Sequence, residues 1–81
     1  MLVVVHFYSY FKDLAGCAQT TAEVAENGTL QDLLAKVAGR FPKWAALQQS
    51  TLVAVGVEYQ RRDYVLKPGD EVSLFPPVQG G

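Results

Sequence analysis

Eighty-one residues, 49% of them hydrophobic and 19% charged, suffice for one small globular domain and exclude a disordered tail. No apolar run approaches the roughly 18 residues that cross a bilayer, so no membrane segment is expected. A net charge of −1 argues against nucleic-acid binding, which calls for a basic face.

The opening stretch MLVVVHFYSYF has no basic leader region and no small-residue cleavage site, so it reads as a strand rather than a signal peptide. The run Leu2 to Ser9 is rich in β-branched and aromatic residues. Strand parity puts Val3, Val5 and Phe7 on one face, read as core, and Val4, His6 and Tyr8 on the other. The second set is unusually apolar for a solvent face. Tyr10 to Leu14 reads as a short helical turn closed by Gly16 as a left-handed cap. Gln19 to Val24 alternates and predicts a second strand, forming a hairpin with the first.

Asn27-Gly28 reads as a turn, with Thr29 as helix N-cap and Asp32 completing a capping box. Leu30, Leu33, Leu34, Val37 and Ala38 recur at helical spacing, and Gly39 is expected to end this main helix. Lys43 to Gln48 is read as a short helical turn, with Trp44 and Leu47 in a satellite core. Thr51 to Val57 predicts strand three, with Tyr59 in the turn after it and Val65 in a short edge strand. Arg61-Arg62, the one basic pair, is flanked by Glu58 and Asp63 and reads as a solvated, charge-compensated hairpin. Lys67-Pro68-Gly69-Asp70 is a tight turn, and Glu71 to Phe75 the last strand. This order predicts an α+β roll: a mixed sheet packed on one main helix. Parallel pairing of the last strand with the first makes it a β-grasp (ubiquitin-like) fold. Residues 1–75 then form the domain, and residues 76–81 a flexible, extended C-terminal Gly-Gly tail.

Cys17 is the lone cysteine, which fits a reducing compartment and a cytoplasmic location. It reads as a small semi-buried filler, with a reactive thiol as the sharper alternative. His6 has no partners for a metal site, so no metal is expected. No Ser/His/Asp order, CxxC, GxGxxG or phosphate loop is present, so the chain carries no catalytic constellation of its own.

The ending Phe75-Pro76-Pro77-Val78-Gln79-Gly80-Gly81 is the strongest functional signal. Extended, the six residues after Phe75 reach roughly 20 Å. Pro76 and Pro77 impose a stiff, polyproline-like start. Gly80 and Gly81 lack side chains and fit a channel too narrow for other residues. A frayed terminus is the plain alternative. The stiff spacer before the glycines points instead to the Gly81 carboxylate as the working group.

FYSYFKDLAG, GDEVSLFPPVQGG and the element order together resemble the MoaD family, the small sulfur-carrier subunit of molybdopterin synthase. The FPPVxGG pattern is the specific part, and the likeness covers essentially the whole chain. Related thiamine-pathway carriers also end in Gly-Gly but lack this spacer. One departure is visible: after the third strand the family commonly has Asn where this chain has Gly56. The resemblance implies a carrier that is not catalytic alone, and that binds no permanent cofactor. A MoeB-type adenylating enzyme would use ATP to activate the Gly81 carboxylate, and a sulfur donor would convert it to a thiocarboxylate. A MoaE-type large subunit would then receive the tail and pass sulfur to a cyclic pterin precursor of molybdopterin.

Tyr8 and Phe75, with Tyr59 beside them, are the partner-binding residues that parity singles out. Simple cross-strand stacking is the alternative for these aromatic residues. Carriers for thiamine or tRNA thiolation, a ubiquitin-like protein modifier, and a plain interaction module remain competing functions.

Overall fold

The computed structural model describes residues 1–77, so the expected tail beyond Pro77, with Gly80 and Gly81, lies outside the described residues. In chain order the elements are β1 (Leu2–Phe7), α1 (Phe11–Ala15), β2 (Gln19–Glu23), α2 (Leu30–Arg40), α3 (Pro42–Ala45), a 3₁₀ turn (Gln48–Ser50), β3 (Leu52–Val55), β4 (Glu58–Tyr59) and β5 (Glu71–Phe75). The five strands form one sheet in the order β2-β1-β5-β3-β4. β1 and β5 run parallel, and every other pairing is antiparallel. This is the β-grasp architecture, with the first and last strands side by side at the centre of the sheet.

The core lies between this sheet and α2. Val3, Val5 and Phe7 on β1 and Val72 and Leu74 on β5 are buried, as the alternation requires. They meet Leu30, Leu33, Leu34 and Val37, which form one stripe of α2 and are all 0% exposed. Burial of each such side chain stabilises by about 1.5–3 kcal/mol. The helix starts where its cap is complete. The Thr29 amide donates to Asp32 Oδ2 at 2.9 Å, and the Asp32 amide donates to Thr29 Oγ1 at 3.3 Å. The next two amides, of Leu30 and Gln31, donate to the carbonyls of Tyr64 and Arg62 at 3.0 and 2.9 Å. The connection between β4 and β5 thus closes the start of the helix. Gly16 caps α1 at φ +74°, its amide donating to the Lys12 carbonyl.

Several expectations need correction. β1 ends at Phe7 rather than Ser9, because Ser9 takes φ +56° and turns the chain into α1. β2 ends at Glu23, one residue short of the expected Val24. α2 does not stop at Gly39 but runs to Arg40. Phe41 ends it at φ −126°, ψ 77°, since a residue before proline is pushed out of the helical region. Trp44 belongs to the main core, fully buried and edge-on to Phe11, whereas Leu47 sits at its margin. β3 is shorter than expected, because Gly56 at φ +60° reverses the chain. Asn is the other residue at home at positive φ, so Gly56 keeps a turn that Asn would also make.

Tyr59 consequently lies in strand β4 and not in a turn. Val65 belongs to no edge strand; it makes an isolated bridge to Thr29. Arg62 is half-buried rather than fully solvated. Its Nη2 donates to the carbonyls of Gln48 and Thr51 at 3.1 and 3.0 Å, pinning the crossover to the turn before β3. Among the described residues, no helix is long and apolar enough to cross a membrane.

Candidate docking face and tail root

The face of the sheet opposite α2 carries no helix or loop layer among the named elements. Alternation places His6 on this face of β1, Leu52 and Ala54 on β3, Tyr59 on β4, and Ser73 and Phe75 on β5. The register sets Leu52 beside Phe75, and Ala54 between Ser73 and Tyr59. Tyr8 continues β1 by one residue, its amide donating to the Leu74 carbonyl at 3.1 Å.

The aromatic residues singled out in the sequence come together here. Tyr8 and Phe75 stack at 4.6 Å between centroids and 13° between planes. Tyr59 meets Phe75 edge-on at 6.4 Å, and His6 lies 6.3 Å from Tyr8. Tyr8 is 41% and Tyr59 68% exposed, so cross-strand stacking leaves much of their surface in water. An exposed aromatic group of this size on a sheet marks an interaction surface more often than a solvent face. Pro76 and Pro77 follow Phe75 directly and are half-buried. With Ser9, Tyr10, Leu52 and Tyr59 they line a shallow, mainly apolar groove. The root of the tail is therefore part of the aromatic face. Gly80 and Gly81 are outside the described residues.

Two features of this region escape sequence reasoning. Ser9, with its left-handed backbone, forms one wall of the groove. On the same face His6 Nε2 and Glu71 Oε1 are 2.7 Å apart, a contact between residues 65 apart in the chain. Alternation puts His6 on the outer face, but only the parallel register of β1 and β5 brings Glu71 to it.

Nothing in the described residues amounts to a catalytic centre. No group of three His, Cys, Asp or Glu side chains converges to hold a metal ion. Cys17 is half-buried against the core and free. The one histidine is occupied by a carboxylate.

The ThiS family model matches residues 5–81 of the chain. The molybdopterin synthase sulfur carrier subunit of Chlamydomonas reinhardtii is 30% identical, over the whole of both chains. The subunit of the same name from Escherichia coli K12 is 34% identical, over 99% of this chain and 100% of the relative. A solved structure described as a putative molybdopterin converting factor, subunit 1, from Pyrococcus furiosus superposes with a TM-score of 0.87. It is 29% identical and covers 96% of this chain and 99% of its own. Both the sheet order and these likenesses support one assignment: the chain belongs to the ThiS family, among relatives that are ubiquitin-like sulfur carrier subunits.

Proposed function

We propose that this protein is the sulfur carrier subunit of a molybdopterin synthase, with Gly81 as the carrying residue. The observation that carries the reading is the position of Phe75. It ends the central strand β5, stacks on Tyr8 in the exposed aromatic face, and leads directly into Pro76 and Pro77. A partner that covers this face also takes hold of the tail at its root. The curated relatives, matched from end to end, support the same reading.

The chemistry follows from the functional group. A carboxylate is a poor electrophile. In the proposed cycle its oxygen attacks the α-phosphorus of ATP on an adenylating enzyme, releasing pyrophosphate and forming an acyl-adenylate. A sulfur nucleophile then displaces AMP and leaves a thiocarboxylate. That group is a good nucleophile near neutral pH but is lost to hydrolysis if left exposed. Insertion of the narrow Gly80-Gly81 end into a pocket of a large subunit shields it and holds it against a cyclic pterin precursor. The carrier supplies the covalent handle and the docking face. The large subunit supplies acid and base.

Intact-protein mass spectrometry tests this after incubation with ATP, a carrier-adenylating enzyme and a sulfide source. The expected product has one oxygen replaced by sulfur at Gly81, and deletion of Gly81 abolishes it. Products joined to lysine through an isopeptide bond would instead assign the protein to the modifiers. Absence of any mass change, with an adenylating enzyme active on another carrier, would overturn the proposal.

A further inference from the structure

The outer face of the sheet is asymmetric in charge as well as in shape. Four of the seven Lys and Arg residues stand on the helices and three on the connection between β4 and β5, so no strand residue of this face is a cation of either kind. Alternation puts two carboxylates on it, Glu23 of β2 and Glu71 of β5. Glu23 lies 3.6 Å from the Met1 amine. The Glu71 side chain is 61% exposed, and its contact with His6 is made through Oε1. Glu71 and Phe75 lie four residue steps apart along β5, about 13 Å. His6 spans the space between them, touching Glu71 at one side and lying near Tyr8 at the other.

We propose that this face is a bipartite docking surface, in which Glu71, held in place by His6, receives an arginine or lysine of the subunit that takes the tail. The proposal rests on the function assigned above and names the chemistry of its partner. The contact surface of that subunit is apolar opposite Tyr8, Tyr59 and Phe75 and basic opposite Glu71. A cation there completes a carboxylate whose other oxygen His6 already engages, and a fixed carboxylate forms the stronger charge-assisted bond. The same acid repels partners that present acidic residues, so Glu71 contributes choice of partner and speed of encounter more than total affinity.

The test is stopped-flow and equilibrium binding of the full chain to the molybdopterin synthase large subunit of the same organism, at low and high salt. Glu71→Gln should weaken binding about three- to tenfold, mainly through slower association, and flatten its salt dependence. Glu71→Lys should weaken it more than about tenfold. Glu26→Lys makes the same charge change off this face and should bind as wild type. His6→Ala should reduce the salt dependence, and His6→Gln, which keeps a donor near Glu71, should restore it. Circular dichroism confirms that each variant is folded, and the near-isosteric Glu71→Gln stands if Glu71→Lys does not fold. Wild-type affinity and salt dependence in a folded Glu71 variant overturn the inference while leaving the carrier function intact. A wild-type chain that does not bind the large subunit at all overturns the functional assignment itself.

Discussion

Phe75 has two neighbours that pull it in different directions. Its backbone pairs with Leu52 in the sheet, while its ring lies flat against Tyr8 and under the edge of Tyr59 on the exposed side. A carboxylate at either Tyr8 or Phe75 would put a desolvated charge in an apolar contact without unfolding a domain whose core is on the other face. Tyr8→Asp and Phe75→Asp should therefore each weaken binding to the large subunit at least about tenfold, by an amount typical of a central aromatic contact. Their melting temperatures should stay within a few degrees of wild type. Titration calorimetry alongside a thermal melt checks both, and wild-type binding by a folded variant removes the aromatic face from the interface. At this scale the sequence is readable for Tyr8, Phe75 and the capping pair Thr29 and Asp32, because parity and capping are local rules. It is silent on His6 with Glu71 and on Arg62 with Gln48 and Thr51, whose partners come from other elements.

At the scale of elements, the two edges of the sheet are managed differently. In the β1–β2 ladder, the Val24 amide donates to the Met1 carbonyl and the Phe7 amide to the Ala18 carbonyl; these bonds set the phase, so the carbonyl of Thr21 points away from β1. Arg40, in the last turn of α2, reaches that carbonyl with Nη1 at 2.6 Å and Thr20 Oγ1 with Nη2 at 2.8 Å. Its guanidinium also covers the Phe41 ring at 5.1 Å. A side chain thus occupies an edge that would otherwise be open to pairing with another chain. Arg40→Ala should cost about 0.5–1.5 kcal/mol in a denaturant titration and raise self-association at high concentration in sedimentation velocity. Unchanged sedimentation would show that the edge needs no such cover. This contact also explains why α2 outlasts Gly39. Gly is a poor helix residue but no barrier, and the turn containing Arg40 is anchored from outside the helix. Helix type and start were legible; the end was decided by the neighbouring strand and by Pro42.

For the whole molecule, the parallel pairing of β1 with β5 joins the first and last strands at the centre of the sheet. The buried stripe of α2 packs across that pair. Leu34 is 0% exposed in the middle of the α2 stripe, so Leu34→Ala should lower stability by about 2–5 kcal/mol. For a domain of this size the melting temperature should fall by more than about 8 °C. Below the melting point the variant should still be adenylated and thiolated, because the outer face and tail do not include Leu34. A mass-spectrometric assay at low temperature, set against a calorimetric scan, separates these two effects. Loss of thiolation in the folded variant would show that the core and the face are not independent.

The sequence by itself determined β1, β2, α2, β3 and β5, the inner and outer faces of those strands, the capped start of α2, and a stiff spacer leading to two glycines. Each of these depends on residues a few positions apart, where steric preference and periodicity act directly. Tertiary structure alone decided where β4 lies, how far α2 runs, that Trp44 joins the main core, and that Arg62 turns inward. It also decided that Tyr8, Tyr59 and Phe75 form one cluster with His6 and Glu71 beside it. Those outcomes depend on the register of strands as many as 65 residues apart, and register is set by the joint packing of the sheet against α2 rather than by any local run of residues.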